Sequence, residues 1–348
     1  MSAVTVILDD VIEVEGSTST GRFLIPASDL EAATGWVRKP EGLCRGDVCV
    51  PVRDAGALEV DGSIDLVGLA AALGRRSVVD LDARIAAISL DAAVRHAALD
   101  GLVAPEVTLP DLDGNPFAVS SLRGHKVLLV AFSSWCGCRY DLPGWQALAE
   151  ELADDGLRIV TVALDDDPEV VRPFTEGITI PVLIDRQHVL SEVFAVSNVP
   201  TAVWIDEEGR IARPNGLVFG TDTFAEFTGV DSGPTLAAIR RWVRDGEVPM
   251  DPAQAAGAVA DLTDDEVDAR LYFRVGAEAR RQGNDAAAER NLRRAGELAP
   301  MDFSVRRAAM PLLGEDPFGQ DFLDLFAEWQ SEGAPYHGLP ATWDAQDT

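Results

Sequence analysis

Lysine is almost absent from this chain: Lys39 and Lys126 are the only two, and all other basic charge is arginine. Acidic residues outnumber basic ones 58 to 29, giving a formal net charge of −29. A surface so negative repels polyphosphate, which argues against nucleic acid and anionic membrane as partners. Also missing is an apolar window long enough to span a bilayer, and the opening residues Met1-Ser2-Ala3-Val4-Thr5 bring no basic region ahead of an apolar core. A cytoplasmic location is the expectation. No Gly-x-Gly-x-x-Gly turn links a strand to a helix, so no cofactor is expected and any redox chemistry would draw electrons from another protein or a small thiol. Histidine is sparse, and His96, His125, His188 and His337 stand at no metal-ligand spacing from one another. Cysteine is equally sparse, with Cys44, Cys49, Cys136 and Cys138 in 348 residues. In a reducing compartment, two close-spaced pairs point to reactive or metal-binding thiols rather than to a disulfide scaffold.

What is present is a globular composition, 47% hydrophobic, in a chain long enough for two or three domains. Residues 1–100 alternate short strand-like and helical runs and predict a small α+β module. In it, Cys44 and Cys49 flank Arg45-Gly46-Asp47, a hairpin turn that would bring them within disulfide reach. Arg45 beside Cys44 would favour its thiolate. Two readings stay open there: a second redox pair exchanging electrons with Cys136–Cys138, or two core-facing thiols beside a turn. Residues 101–250 predict an α/β domain, with strands over 126–133, 157–164, 179–184 and 201–205 and helices over 142–154, 168–175, 190–195 and 235–243. Residues 251–348 turn helical, ending in an irregular tail from Glu332. Tyr272, Val275, Gly276, Ala279, Gly283, Ala288, Leu292, Ala295 and Pro300 resemble one tetratricopeptide unit of roughly 34 residues. Such a unit is unstable alone and is expected to dock on the rest of the protein.

The run Val127-Leu128-Leu129-Val130-Ala131-Phe132 reads as a buried central strand that delivers Trp135-Cys136-Gly137-Cys138-Arg139 to a strand-to-helix junction, where α/β sheets expose their chemistry. Around it stand Ala104-Pro105-Glu106 through Asp113-Gly114, Leu122-Arg123-Gly124, Asp141-Leu142-Pro143, Val199-Pro200-Thr201 before Ala202 to Asp206, and the turn Glu207-Glu208-Gly209-Arg210. In order and spacing these resemble the thioredoxin-like redoxins, especially the disulfide reductases of the TlpA and ResA kind within the AhpC/TSA redoxin superfamily. The resemblance implies a thioredoxin fold, a central mixed sheet flanked by helices, and a thiol–disulfide oxidoreductase acting on a protein or small-molecule disulfide, with an external thiol or thioredoxin-type donor. It implies that Cys136 attacks from a helix N-terminus that favours its thiolate, and that Cys138 resolves the mixed disulfide. It also implies that Pro200 is the family's cis-proline, that Val199 pairs with substrate, that Trp135 helps form the substrate surface and that Pro143 kinks the helix.

The sequence departs from that pattern in one place. The family usually has two residues between the cysteines, and here only Gly137 stands there. A ring closed across one residue is strained, which favours reduction and predicts a more oxidising couple, with Gly137 supplying unusual backbone angles. Two other classes fit less well. A Cu or Zn carrier or a tetratricopeptide-type adaptor would need further soft ligands or further repeats. A peroxiredoxin-like thiol peroxidase would have threonine where Ser133 stands, and an upstream proline. Asp165-Asp166-Asp167 predicts a solvated loop and helix cap. The segment 215–229, with Phe219, Phe224 and Phe227, has no family counterpart and is placed over the active site.

Overall fold

The structure, a computed structural model, describes residues 2–19 and 21–341. It divides into two compact units, each assembled from two separate stretches: Met1–Ala92 with Thr263–Pro300, and Ala93–Leu262 with Met301–Thr348. The 251–348 segment is therefore shared between units instead of forming a third domain. Of the expected irregular tail, the part beyond 341 lies outside the described residues.

In the first unit, Val11–Gly16, Ser2–Ile7, Ile85–Ile88 and Ser77–Asp80 form a four-stranded sheet in that order, with Ser2–Ile7 parallel to Ile85–Ile88. Val4, Val6, Phe23, Ile25, Leu43, Leu66, Leu69 and Ile88 fill its core. Helix Asp264–Arg281 packs on the two strands Ser77–Asp80 and Ile85–Ile88, and Asp285–Leu298 returns beside it. A Cβ on Gly276 would come within 2.7 Å of Leu292 Cγ, so glycine sets how closely the two helices approach. Asn291 Nδ2 donates to Asp80 at 2.7 Å, Arg76 Nε to Asp268 at 2.6 Å and Gln282 Nε2 to Thr5 Oγ1 at 2.9 Å. A lone helical hairpin cannot bury its apolar faces, and here the sheet supplies the missing layer.

The second unit is built on a five-stranded sheet ordered Val182–Ile184, Leu157–Ala163, Lys126–Phe132, Thr201–Ile205, Ile211–Leu217. The first three strands are parallel and the last two antiparallel to their neighbours. This is the α/β, thioredoxin-like architecture. Lys126–Phe132 is central and apolar on both faces because helices cover both sides. One face packs Leu128, Val130, Trp204, Leu148, Ile239 and Trp242 together, with the Trp204 and Trp242 rings stacked at 5.0 Å. Strand Ile211–Leu217 escapes the sequence pattern. Its residues Arg213, Pro214 and Asn215 break any apolar alternation, and it pairs with Thr201–Ile205 through register shifts that accommodate them. Expected strand 179–184 starts only at Val182, after Pro181.

Candidate active site

Strand Lys126–Phe132 ends at the carboxyl edge of the parallel sheet, and the chain turns through Ser133-Ser134-Trp135 into Cys136. The turn is fixed from below by Asp165, which follows the neighbouring strand Leu157–Ala163. Asp165 accepts from Ser133 Oγ at 2.8 Å, Ser134 N at 2.9 Å and Ser134 Oγ at 2.5 Å. Only 3% exposed, it is not the solvated loop residue the triple aspartate suggested. Burial, outweighing these donors, pushes its carboxyl above the ordinary range. Asp167 alone keeps the expected cap, accepting from Glu169 N at 2.9 Å. The hidden signal for Asp165 is topological: it stands one strand over from the cysteines at the same sheet edge.

Trp135 is expected on the substrate surface, but it is 3% exposed and its Nε1 donates to the Leu164 carbonyl at 3.0 Å. The indole thus braces the loop from within. Cys136 stands at the head of a 3-10 turn, Gly137–Asp141, which runs directly into helix Leu142–Leu152. Pro143 lies in the first turn of that helix, where a missing N–H costs nothing; it starts the α-helix rather than kinking it. Leu142, Trp145, Leu148 and Leu152 recur on one side and are buried.

Cys136 and Cys138 are joined as a disulfide, with Sγ–Sγ 2.44 Å and Cα–Cα 5.2 Å. The Cys138 N–H donates to Cys136 Sγ at 3.2 Å, a donor placed to hold negative charge on that sulfur once the pair is reduced. The Val199–Pro200 peptide is cis, and the Val199 carbonyl oxygen lies 3.5 Å from Cys136 Sγ. The fold therefore brings Cys136, Gly137, Cys138, Val199 and Pro200 into one site. Gly137 has no left-handed backbone angle, so the reason for glycine is steric: a Cβ there would meet the Phe224 ring at 2.8 Å. Phe224 and Thr221 lie in the segment 215–229 expected over the site, and Tyr336 is an addition to it. Thr221 Oγ1 donates to Asp141 Oδ1 at 2.5 Å, and Tyr336 Oη hydrogen-bonds Thr201 Oγ1, next to Pro200, at 2.8 Å.

Asp141 lies fully buried at the end of the 3-10 turn. Burial pushes its carboxyl up from the ordinary aspartate range, against the Thr221 hydroxyl and the Gly220 and Thr221 N–H groups. Its Oδ2 has no hydrogen-bond partner among the described residues, an environment that favours the neutral acid. Arg139 carries the positive charge at the rim. Its guanidinium lies 4.5 Å from the Phe174 and Phe318 ring centres and 4.9 Å from Tyr140. Among the described residues no group of three or more His, Cys, Asp or Glu side chains gathers at metal-binding spacing.

Cys44 and Cys49 lie in the other unit, directly opposite each other on the antiparallel strands Gly42–Arg45 and Val48–Val50. The expected hairpin is present, with Gly46 in the left-handed region at φ +56°. The two are bonded, with S–S 2.01 Å. Cys44 is buried in the core and Cys49 is exposed, so only one of the two faces inward.

Residues 101–213 match the model of the AhpC/TSA family. Thiol-disulfide oxidoreductase ResA of Geobacillus thermodenitrificans is 30% identical over 126 residues, 35% of this chain and 71% of its own. Thioredoxin-like protein YneN of Bacillus subtilis is 33% identical over 118 residues, 32% of this chain and 68% of its own. Among solved structures, a thioredoxin-family thiol:disulfide interchange protein of Chlorobium tepidum is 25% identical, covering 31% of this chain and 81% of its own with a TM-score of 0.29. The chain belongs to the AhpC/TSA family of thioredoxin-fold proteins and, within it, to the ResA-like thiol–disulfide oxidoreductases.

Proposed function

We propose that this thiol–disulfide oxidoreductase works through Cys136 as attacking thiolate and Cys138 as resolving thiol. The observation that carries the reading is the position of Cys136 Sγ, between the Cys138 N–H and the carbonyl before cis-Pro200. In the reducing direction the Cys136 thiolate attacks a substrate disulfide, forming a Cys136–substrate bond and expelling one substrate thiolate. The Cys138 thiolate then attacks Cys136 Sγ, forming the Cys136–Cys138 bond and expelling the second substrate thiolate. Two electrons pass from the cysteine pair to the substrate, and an external thiol or thioredoxin-type donor returns them by the same exchange. Cys138→Ser is expected to accumulate a mixed disulfide on Cys136 that mass spectrometry identifies, and Cys136→Ser to accumulate none. A trap on Cys138 instead would reverse the two roles.

The single-residue spacer supports a couple more oxidising than thioredoxin's, which lies near about −270 mV. Equilibration against glutathione measures it. For Cys44–Cys49 we propose the structural role, because the pair closes one hairpin over a core-facing sulfur. A protein partner at the tetratricopeptide-like helices 264–298 completes the proposal. The repeat-like spacing supports it, and co-purification with and without these helices' exposed residues substituted tests it.

A further inference from the structure

Both active-site cysteines are closed off: Cys136 is 6% exposed and Cys138 2%. Part of the cover is the segment after strand Ile211–Leu217. Its first part is firmly seated. A Cβ on Gly144 would meet the Gly220 carbonyl oxygen at 2.5 Å, and one on Gly220 the Trp145 ring at 2.8 Å, so two glycines let this backbone lie directly on helix Leu142–Leu152. Thr221 is tied to Asp141, and Asp222 accepts from Ser232 N at 2.8 Å, closing the loop at its base. The second part is held far less. The single helical turn Ala225–Thr228 buries no residue, and Phe227, 53% exposed, stacks on Phe326 at 5.1 Å. Between the two parts Phe224 lays its ring against Gly137, with the Tyr140 ring centre 6.3 Å away.

We infer that Phe224 is a specificity-determining residue, a roof over the Cys136-Gly137-Cys138 loop that admits disulfides on small molecules and holds back disulfides embedded in protein chains. The inference rests on Cys136 being the attacking thiol. Exchange requires the incoming sulfur to line up with Cys136 Sγ. A small disulfide needs little more room than its own sulfurs, whereas a polypeptide disulfide brings chain on both sides of each cysteine and needs the face of Gly137 that the ring fills. A protein substrate therefore reacts only from the fraction of molecules in which the ring has moved, and its rate falls by that fraction. The same contact explains why the spacer is glycine.

Oxidation of the reduced, full-length protein in a Cys44→Ser/Cys49→Ser background by 2-hydroxyethyl disulfide and by insulin separates the possibilities, with the attacking cysteine located by mass spectrometry of the mixed disulfide that a Cys138→Ser variant retains. Phe224→Ala is expected to raise the insulin-to-hydroxyethyl-disulfide rate ratio by about tenfold. Gly137→Ala, whose methyl group displaces the same ring, is expected to move the ratio in the same direction. The double variant should then gain no more than the larger single change, because both act on one contact. Ratios that stay at the wild-type value in both single variants overturn the roof. Oxidation that bypasses Cys136 with either reagent overturns the underlying assignment as well, and the site map tells the two failures apart.

Discussion

The two cysteine pairs of this chain are both bonded, and nearly everything else about them differs. Cys44 and Cys49 face each other across a hairpin, one sulfur in the core and the other in solvent. Cys136 and Cys138 sit where a central parallel strand gives way to a helix, with both sulfurs covered. Around the second pair stand a backbone N–H aimed at sulfur, the Val199 carbonyl before cis-Pro200, two buried carboxyls that both follow the pair in sequence, and an aromatic roof. Around the first, among the described residues, stand hairpin contacts and Arg45, which is paired to Asp9 at 2.5 Å. A pair of thiols becomes an active site through the donors and acceptors placed on one sulfur, and spacing along the chain does not provide those.

The sharpest break of this comparison is by substitution. Cys136→Ser is expected to reduce disulfide exchange to the uncatalysed background in a hydroxyethyl-disulfide assay, whereas Cys44→Ser/Cys49→Ser should retain activity within about twofold, since neither of its cysteines forms part of the site. A large loss in the hairpin variant would make that pair an electron relay. Next in size is Asp165→Ala, which leaves Ser133 and Ser134 without their buried acceptor. It should cost about 2–3 kcal/mol in denaturant unfolding and slow exchange as the Cys136 turn loosens. Stability unchanged in that variant would contradict the bracing role.

Removing the hairpin disulfide should cost about 2 kcal/mol, the loop-closure contribution for a ring this short. The cost should appear in unfolding of the first unit, whose core Cys44 joins. The smallest effect belongs to Asp141. Its carboxyl is pushed up by burial, so the folded protein binds that proton more tightly than the unfolded chain does. This contribution to stability is complete below about pH 4 and is lost as pH rises through the raised pKa. Asp141→Asn removes the loss. It should melt above wild type at pH 7, with the difference closing toward pH 4. A difference that is constant with pH would assign the gain to packing instead of ionisation.

Much of the second unit was legible because its signals are local. Apolar runs mark Lys126–Phe132, Leu157–Ala163 and Thr201–Ile205 to within a residue or two, and Val199-Pro200-Thr201 marks the loop that faces the cysteines. Strand Ile211–Leu217 was illegible for the opposite reason: its place in the sheet comes from pairing, and Arg213 is buried against the Trp204 ring instead of lying in water. Asp165 was hidden in a run of three aspartates that looked solvated. The segment 215–229 could be placed over the site, but nothing in its pattern singled out Phe224.

By itself the sequence determined the kind of chemistry: a cysteine pair at the end of a buried strand, followed by a helix and answered by a Val-Pro-Thr loop. Those features depend on residue type and short spacing, which the chain carries wherever it goes. Only the tertiary structure decided which unit the helices of 264–298 complete, which buried carboxyls support the cysteine loop, and which ring packs on Gly137. Each of these is a contact between residues tens to hundreds of positions apart. Such contacts follow from which surfaces need covering, and no local pattern encodes the partner.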